Sequence, residues 1–169
     1  MIRALARIDV GAIERNTARL VAAAPDAAVC AVVKADAYGH GMAPAARAAL
    51  AGGASWLAVA TAVEAATLRS AGIAERLLVL GALSDEELAV ALDADADIVV
   101  WRPETVARVS AHGGGRVHVK LDTGMGRLGT RDPGEATAIA HAAASARGVE
   151  VAGLMTHFAT AAEPGDAFF

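Results

Sequence analysis

A single lysine closes the apolar run of Ala31-Val32-Val33-Lys34-Ala35-Asp36-Ala37-Tyr38-Gly39-His40-Gly41. A tyrosine, a histidine and two glycines follow within seven residues, and Pro44 then opens a helical stretch. In parallel α/β proteins the C-terminal ends of the strands face the active-site mouth. A lysine there is placed to form a Schiff base with an aldehyde cofactor. The alternative is a lysine whose stem lies along the strand end while its ammonium reaches water.

A second cluster is Lys120-Leu121-Asp122-Thr123-Gly124-Met125-Gly126-Arg127-Leu128-Gly129, after a strand with alternating Val117, Val119 and Leu121. Gly124, Gly126 and Gly129 satisfy G-x-G-x-x-G, the spacing of a dinucleotide-binding turn. The context opposes that reading. Asp122 and Thr123 separate strand from glycine and put a carboxylate where a pyrophosphate would approach. The acidic residue about 20 positions on, Glu150, begins a strand instead of ending one. A glycine-rich turn that lets Arg127 project as a fixed cationic fork fits better, and such a fork suits a carboxylate or phenolate. A surface arginine solvating a loop is the competing explanation.

The third cluster is Gly153-Leu154-Met155-Thr156-His157-Phe158-Ala159-Thr160, which puts His157 at another strand end. His40, Asp122 and His157 could supply metal donors on paper. No H-x-x-x-H or paired-cysteine spacing accompanies them, so no metal site is expected.

The elements that must carry these residues read as a strict alternation. Asp9 caps a helix with apolar positions at Val10, Ile13, Thr17, Leu20, Val21 and Ala24. Strands are expected over 28–33, 56–60, 77–80, 98–101, 116–121 and 149–155. The run 28–33 is unbroken and apolar, as for a strand buried on both faces. Helices are expected from Pro44 to Leu50, from Thr61 to Ser70, from a Ser84/Glu87 capping box, from Pro103, and from Asp132-Pro133. Six strands separated by five helices imply a parallel sheet with right-handed crossovers. A doubly wound sheet and a (β/α)8 barrel both remain open, with the lack of a switch point favouring the barrel. A complete barrel has eight strands, so this chain is expected to be an incomplete one. The terminal Phe168-Phe169 pair fits that expectation.

Composition narrows the function classes. The 169 residues are 55% hydrophobic and 4% aromatic with a net charge of -4, giving no basic footprint for nucleic acid or an anionic membrane. No stretch approaches about 18 consecutive apolar residues, and the N-terminus lacks a signal-peptide core, so a cytoplasmic location is expected. Cys30, the single cysteine, lies in an apolar run and is expected to be a small core residue.

The Lys34 segment, the Lys120–Gly129 segment and Thr156-His157-Phe158-Ala159 together resemble the alanine racemase family, in order and separation. Arg7-Ile8-Asp9, Ile13 and Asn16 resemble its N-terminal segment. The resemblance covers essentially all of residues 1–169. It implies a pyridoxal-phosphate enzyme whose (β/α)8 barrel is followed by a β-rich C-terminal domain, absent here, and which works as a homodimer. It implies that Lys34 holds pyridoxal 5'-phosphate through an imine bond and takes the α-proton from the D-enantiomer. Tyr38 would bind the cofactor phosphate, and Arg127 its phenolic oxygen and the substrate carboxylate. His157 would pack on the pyridine ring. Lys120 falls where the family often carries a carbamylated lysine that braces the arginine. The implied activity interconverts L- and D-alanine for cell-wall precursors.

Two departures accompany the resemblance. The family's second base is a tyrosine of the C-terminal domain, and the one tyrosine here, Tyr38, belongs to the cofactor loop. Met155 stands where a tyrosine commonly precedes the Thr-His pair. This piece alone is therefore expected to racemise poorly or not at all. A racemase for another amino acid, a non-catalytic cofactor-binding fragment or split half, and an ordinary nucleotide-binding domain are the alternatives.

Overall fold

The structure is a computed structural model that describes residues 3–161. The Phe168-Phe169 expectation lies outside the described residues. Two compact units divide the chain, Met1–Gly81 and Ala82–Phe169.

The first unit begins with α1 (Val10–Ala23), capped by Asp9, whose side chain accepts the Ala12 amide at 3.1 Å. Strand β1 (Cys30–Val32) leads into α2 (Lys34–Gly39), a short turn of unusual hand. Then come α3 (Met42–Ala51), β2 (Trp56–Val59), α4 (Ala62–Ser70) and β3 (Arg76–Val79). The strands run parallel in chain order, with Ala31 beside Leu57 and Leu57 beside Leu77. Leu57, Leu68 and Leu77 are fully buried between sheet and helices, and each such side chain contributes roughly 1.5–3 kcal/mol.

In the second unit α5 (Asp85–Asp93) starts at the Ser84/Glu87 capping box. It is followed by β4 (Ala96–Val100), α6 (Pro103–Ala111), β5 (Gly115–Lys120), α7 (Pro133–Ser145) and β6 (Val149–Met155). Its strands are also parallel in chain order, with a register shift between Val117 and His118 where β5 meets β6. Strand β4 is buried throughout, as its apolar run requires.

Four expectations need correction. The strand expected over 28–33 is only Cys30–Val32, and Val32 is 40% exposed, because within its unit β1 pairs on one edge alone. Cys30 is accordingly half-buried and not a core residue. The third helix starts at Met42, two residues before Pro44. Its N-cap Gly41 has no side chain, and Asp36 Oδ1 accepts the Met42 amide instead, at 2.7 Å. On α1 only Thr17 is buried, and Val10 and Leu20 stay exposed despite their spacing.

Candidate active site

Lys34 leaves β1 directly, since the Val33 amide still donates to Ala58 O at 2.9 Å in the ladder with β2. Where the sequence suggests a loop, the backbone winds left-handed. Ala35, Asp36, Ala37 and Tyr38 have φ between 51 and 56°. Each non-glycine residue there costs roughly 1–2 kcal/mol, so the turn persists only because its surroundings hold it. The Ala37 amide donates to Val33 O (2.9 Å) and the Gly41 amide to Asp36 O (2.9 Å). His40 Nδ1–H donates to Ala37 O at 2.7 Å, while Val33 and Ala37 are buried. Lys34 itself is half-buried and Tyr38 is 60% exposed. His40 is thus committed to the turn.

Glu64 is a residue whose role at this end of the sheet the sequence does not announce. The Thr61-x-x-Glu64 spacing marks a capping box for α4, and the box is formed. The carboxylate does more than cap. Its Oε2 accepts the Ala60 amide (2.8 Å) and the Thr61 amide (3.1 Å), and its Oε1 accepts the Ala35 amide at 2.6 Å. No local spacing signals that last bond, which spans 29 residues.

In the second unit the glycine-rich loop curls around Asp122. The carboxylate accepts the Gly124 amide (3.0 Å), the Gly126 amide (3.0 and 3.1 Å) and Arg131 Nε–H (3.2 Å). These bonds hold the Asp122 carboxyl at about 2, well below the ordinary carboxylate range. The amides that a dinucleotide's phosphates would need are already taken by a side-chain anion. The loop returns to its own strand through Asp122 N–H to Thr130 O (2.7 Å) and Thr130 N–H to Lys120 O (3.2 Å). Gly129, at φ 117°, lets it pass there, since a Cβ would lie 2.8 Å from the Asp122 nitrogen and 3.1 Å from Lys120 Cγ.

Lys120 is 3% exposed at the end of β5. Burial, and next the Arg127 guanidinium, push its ammonium below the ordinary lysine range, with Asp122 opposing. Arg127 is exposed and has no hydrogen-bond partner among the described residues. His157 is exposed just past β6, and its neighbour Thr156 shares a 2.7 Å hydroxyl–hydroxyl hydrogen bond with Thr123 of the glycine loop. The expected residues therefore fall into two groups. Lys34 and Tyr38 share the left-handed turn, while Lys120, Arg127 and His157 gather at the ends of β5 and β6. Met155 accepts the Leu121 amide through its backbone oxygen at 2.9 Å. Among the described residues no cluster of three or more His, Cys, Asp or Glu could hold a metal, and no helix is long and apolar enough to cross a membrane.

Two further features escaped sequence reading. The chain has two lysines against thirteen arginines, and both lysines stand at the C-terminal ends of strands. Beneath Lys120, the same face of β5 carries Arg116 and His118. Their Nε and Nε2 reach the fully buried Asp97 of β4 at 2.6 and 2.8 Å. A lone acid inside the apolar run Ala96–Val100 is the signal that could have found this network.

Strand–helix alternation, with chemically able side chains collected at the C-terminal strand ends, defines a parallel α/β fold of the barrel type, with six strands among the described residues where a full barrel has eight. The alanine racemase N-terminal domain model matches residues 8–169. Alanine racemase of Frankia casuarinae is 47% identical over 97% of this chain and 44% of its own length. That of Geobacillus stearothermophilus is 41% identical over 97% and 44%. The crystal structure of alanine racemase from Bacillus anthracis with bound L-Ala-P superposes with a TM-score of 0.86 at 36% identity, covering 95% of this chain and 43% of that one. The enzyme from Streptomyces lavendulae gives 0.87 at 38%, covering 95% and 44%. This chain belongs to the alanine racemase family. It spans less than half the length of the curated relatives it matches.

Proposed function

We propose that residues 1–169 are the N-terminal, cofactor-holding part of a pyridoxal-phosphate-dependent alanine racemase that interconverts L- and D-alanine for cell-wall precursors in the cytoplasm. The observation that carries this reading is the pair of lysines. In a chain with thirteen arginines, lysine is kept at two strand ends, one of them on a strained turn pinned by backbone and side-chain bonds.

The residues fit the cofactor. Pyridoxal phosphate, when bound, supplies an aldehyde for a lysine amine and a ring that withdraws electrons from a substrate's α-carbon. The Lys34 amine would be the nucleophile that holds it, and its Nζ the base for the α-proton of the D-enantiomer. The exposed Tyr38 hydroxyl would donate to the phosphate. Arg127, with no hydrogen-bond partner among the described residues, would donate to the phenolic oxygen and the substrate carboxylate, and His157 would pack on the ring. The cationic pair of Lys120 and Arg127 favours an anion beside them, because Asp122 is spent on its own loop. The lowered Lys120 ammonium raises the fraction of neutral amine, the form that carbamylation needs. A carbamate there would turn repulsion of Arg127 into attraction.

The second base, for the opposite proton, belongs in this reading to a tyrosine of a C-terminal domain reaching in from the partner of a homodimer. Residues 1–169 alone then racemise alanine little or not at all. The test is to incubate the purified chain with pyridoxal phosphate, reduce with borohydride and map the adduct by peptide mass. Adduct at Lys34, lost in Lys34→Ala, supports the reading. Adduct absent from Lys34, or robust racemisation by this chain alone, overturns it.

A further inference from the structure

We propose that Glu64 is a positioning residue for Lys34: its carboxylate ties the peptide that follows the lysine to the end of the neighbouring strand. The proposal deepens the reading above and rests on Lys34 being the residue that holds the cofactor.

A helix cap does not need this arrangement. Capping α4 requires the Thr61 side chain on the Glu64 amide and Glu64 Oε2 on the Thr61 amide, both of which are made. The other oxygen accepts the Ala35 amide at 2.6 Å, a bond across 29 residues. Oε2 meanwhile also accepts the Ala60 amide at 2.8 Å, just past β2. One half-buried side chain thus bridges the C-terminal ends of β1 and β2.

The direction of the Ala35 amide fixes the plane of the Lys34–Ala35 peptide. That plane sets ψ of Lys34 and φ of Ala35 together, and hence the direction in which the lysine leaves the strand. Ala35 is the first residue of the left-handed turn, with φ 51° and ψ 50°. A peptide free to rotate would relax toward the right-handed or extended regions. A charged acceptor on its N–H opposes that rotation at the place where the strain begins.

Glutamine discriminates the two roles. It matches glutamate in shape but has one oxygen, and two sets of amides compete for it. If the oxygen serves Ala60 and Thr61, the amide nitrogen faces the Ala35 N–H, donor against donor. Thr61→Ala is the companion variant, because it weakens the α4 cap without touching the Ala35 bond.

The experiment compares the full chain with its Glu64→Gln and Thr61→Ala variants in two measurements. One is hydrogen exchange at the Ala35 amide. The other is the rate at which pyridoxal phosphate and cyanoborohydride modify Lys34, with Lys120 and the terminal amine as internal references. Glu64→Gln is expected to speed Ala35 exchange and slow Lys34 modification, each at least about tenfold. Thr61→Ala should leave both near the unsubstituted values while lowering the stability of α4. Unchanged exchange and modification in Glu64→Gln, or equal slowing in Thr61→Ala, would reduce Glu64 to a helix cap and overturn the proposal. Failure of the Lys34 reading looks different: the unsubstituted chain itself is not modified at Lys34, which overturns both.

Discussion

Glycine in place of alanine normally weakens a helix, and in the turn after Lys34 the sign should reverse. Ala35 is exposed, so Ala35→Gly removes little packing, and glycine keeps the amide that Glu64 accepts. With φ at 51°, the alanine forgoes roughly 1–2 kcal/mol that glycine would not. Glycine gives back about 0.5–1 kcal/mol through the greater freedom of its unfolded chain. The net expectation is stabilisation by about 0.5–1 kcal/mol, or roughly 1–4 °C in Tm for a domain of this size. Ala18, exposed in the middle of α1 and in the same unit, is the control, and Ala18→Gly should destabilise by about 1 kcal/mol. Urea unfolding of both variants, with m-values compared to exclude changes in the unfolded state, measures the difference. An Ala35→Gly variant as destabilised as Ala18→Gly would refute the left-handed turn and the reasoning built on it.

Asp122 makes the glycine loop sensitive to acid. Its folded-state carboxyl is lowered to about 2, so its contribution is fully present above the ordinary carboxylate value near 3.8 and is lost as pH falls through about 2. Exchange at the Gly124 and Gly126 amides, taken relative to its intrinsic rate at each pH, should be slow at neutral pH and rise in that window. Asp122→Asn should raise it already at neutral pH, and slow exchange in that variant would count against the loop geometry. Asp97→Ala should destabilise the second unit by roughly 2–4 kcal/mol, since it takes the buried carboxylate from His118 and one of two carboxylates from Arg116, whose partial exposure and remaining pair with Asp95 at 2.8 Å trim the cost. Equilibrium unfolding measures this, and a loss under about 0.5 kcal/mol would mean the network contributes little.

Much of the fold is legible because hydrophobic period and caps are local. The Ser84/Glu87 box, Pro103 and Asp132-Pro133 each start a helix where their chemistry says one should start. Apolar runs mark β2 to β6 within a residue or two. The errors sit where a distant group decides. The expected strand over 28–33 shrinks because burial on both faces is a property of neighbours and not of the run itself. Helix α3 starts early because Asp36, six residues upstream, caps it.

Residue type and order alone determined the family, the alternation of strands and helices, and the strand ends that carry Lys34, Lys120 and His157. These depend on short-range pattern and on side-chain chemistry that survives in the unfolded chain. Tertiary structure alone decided the hand of the turn after Lys34, the second duty of Glu64, the closing of the glycine loop on Asp122, and the meeting of Asp97 with Arg116 and His118. Each joins residues through the fold or forces φ values that no composition announces. Alanine, aspartate and tyrosine do not advertise a left-handed turn, and only the bonds around them can hold it.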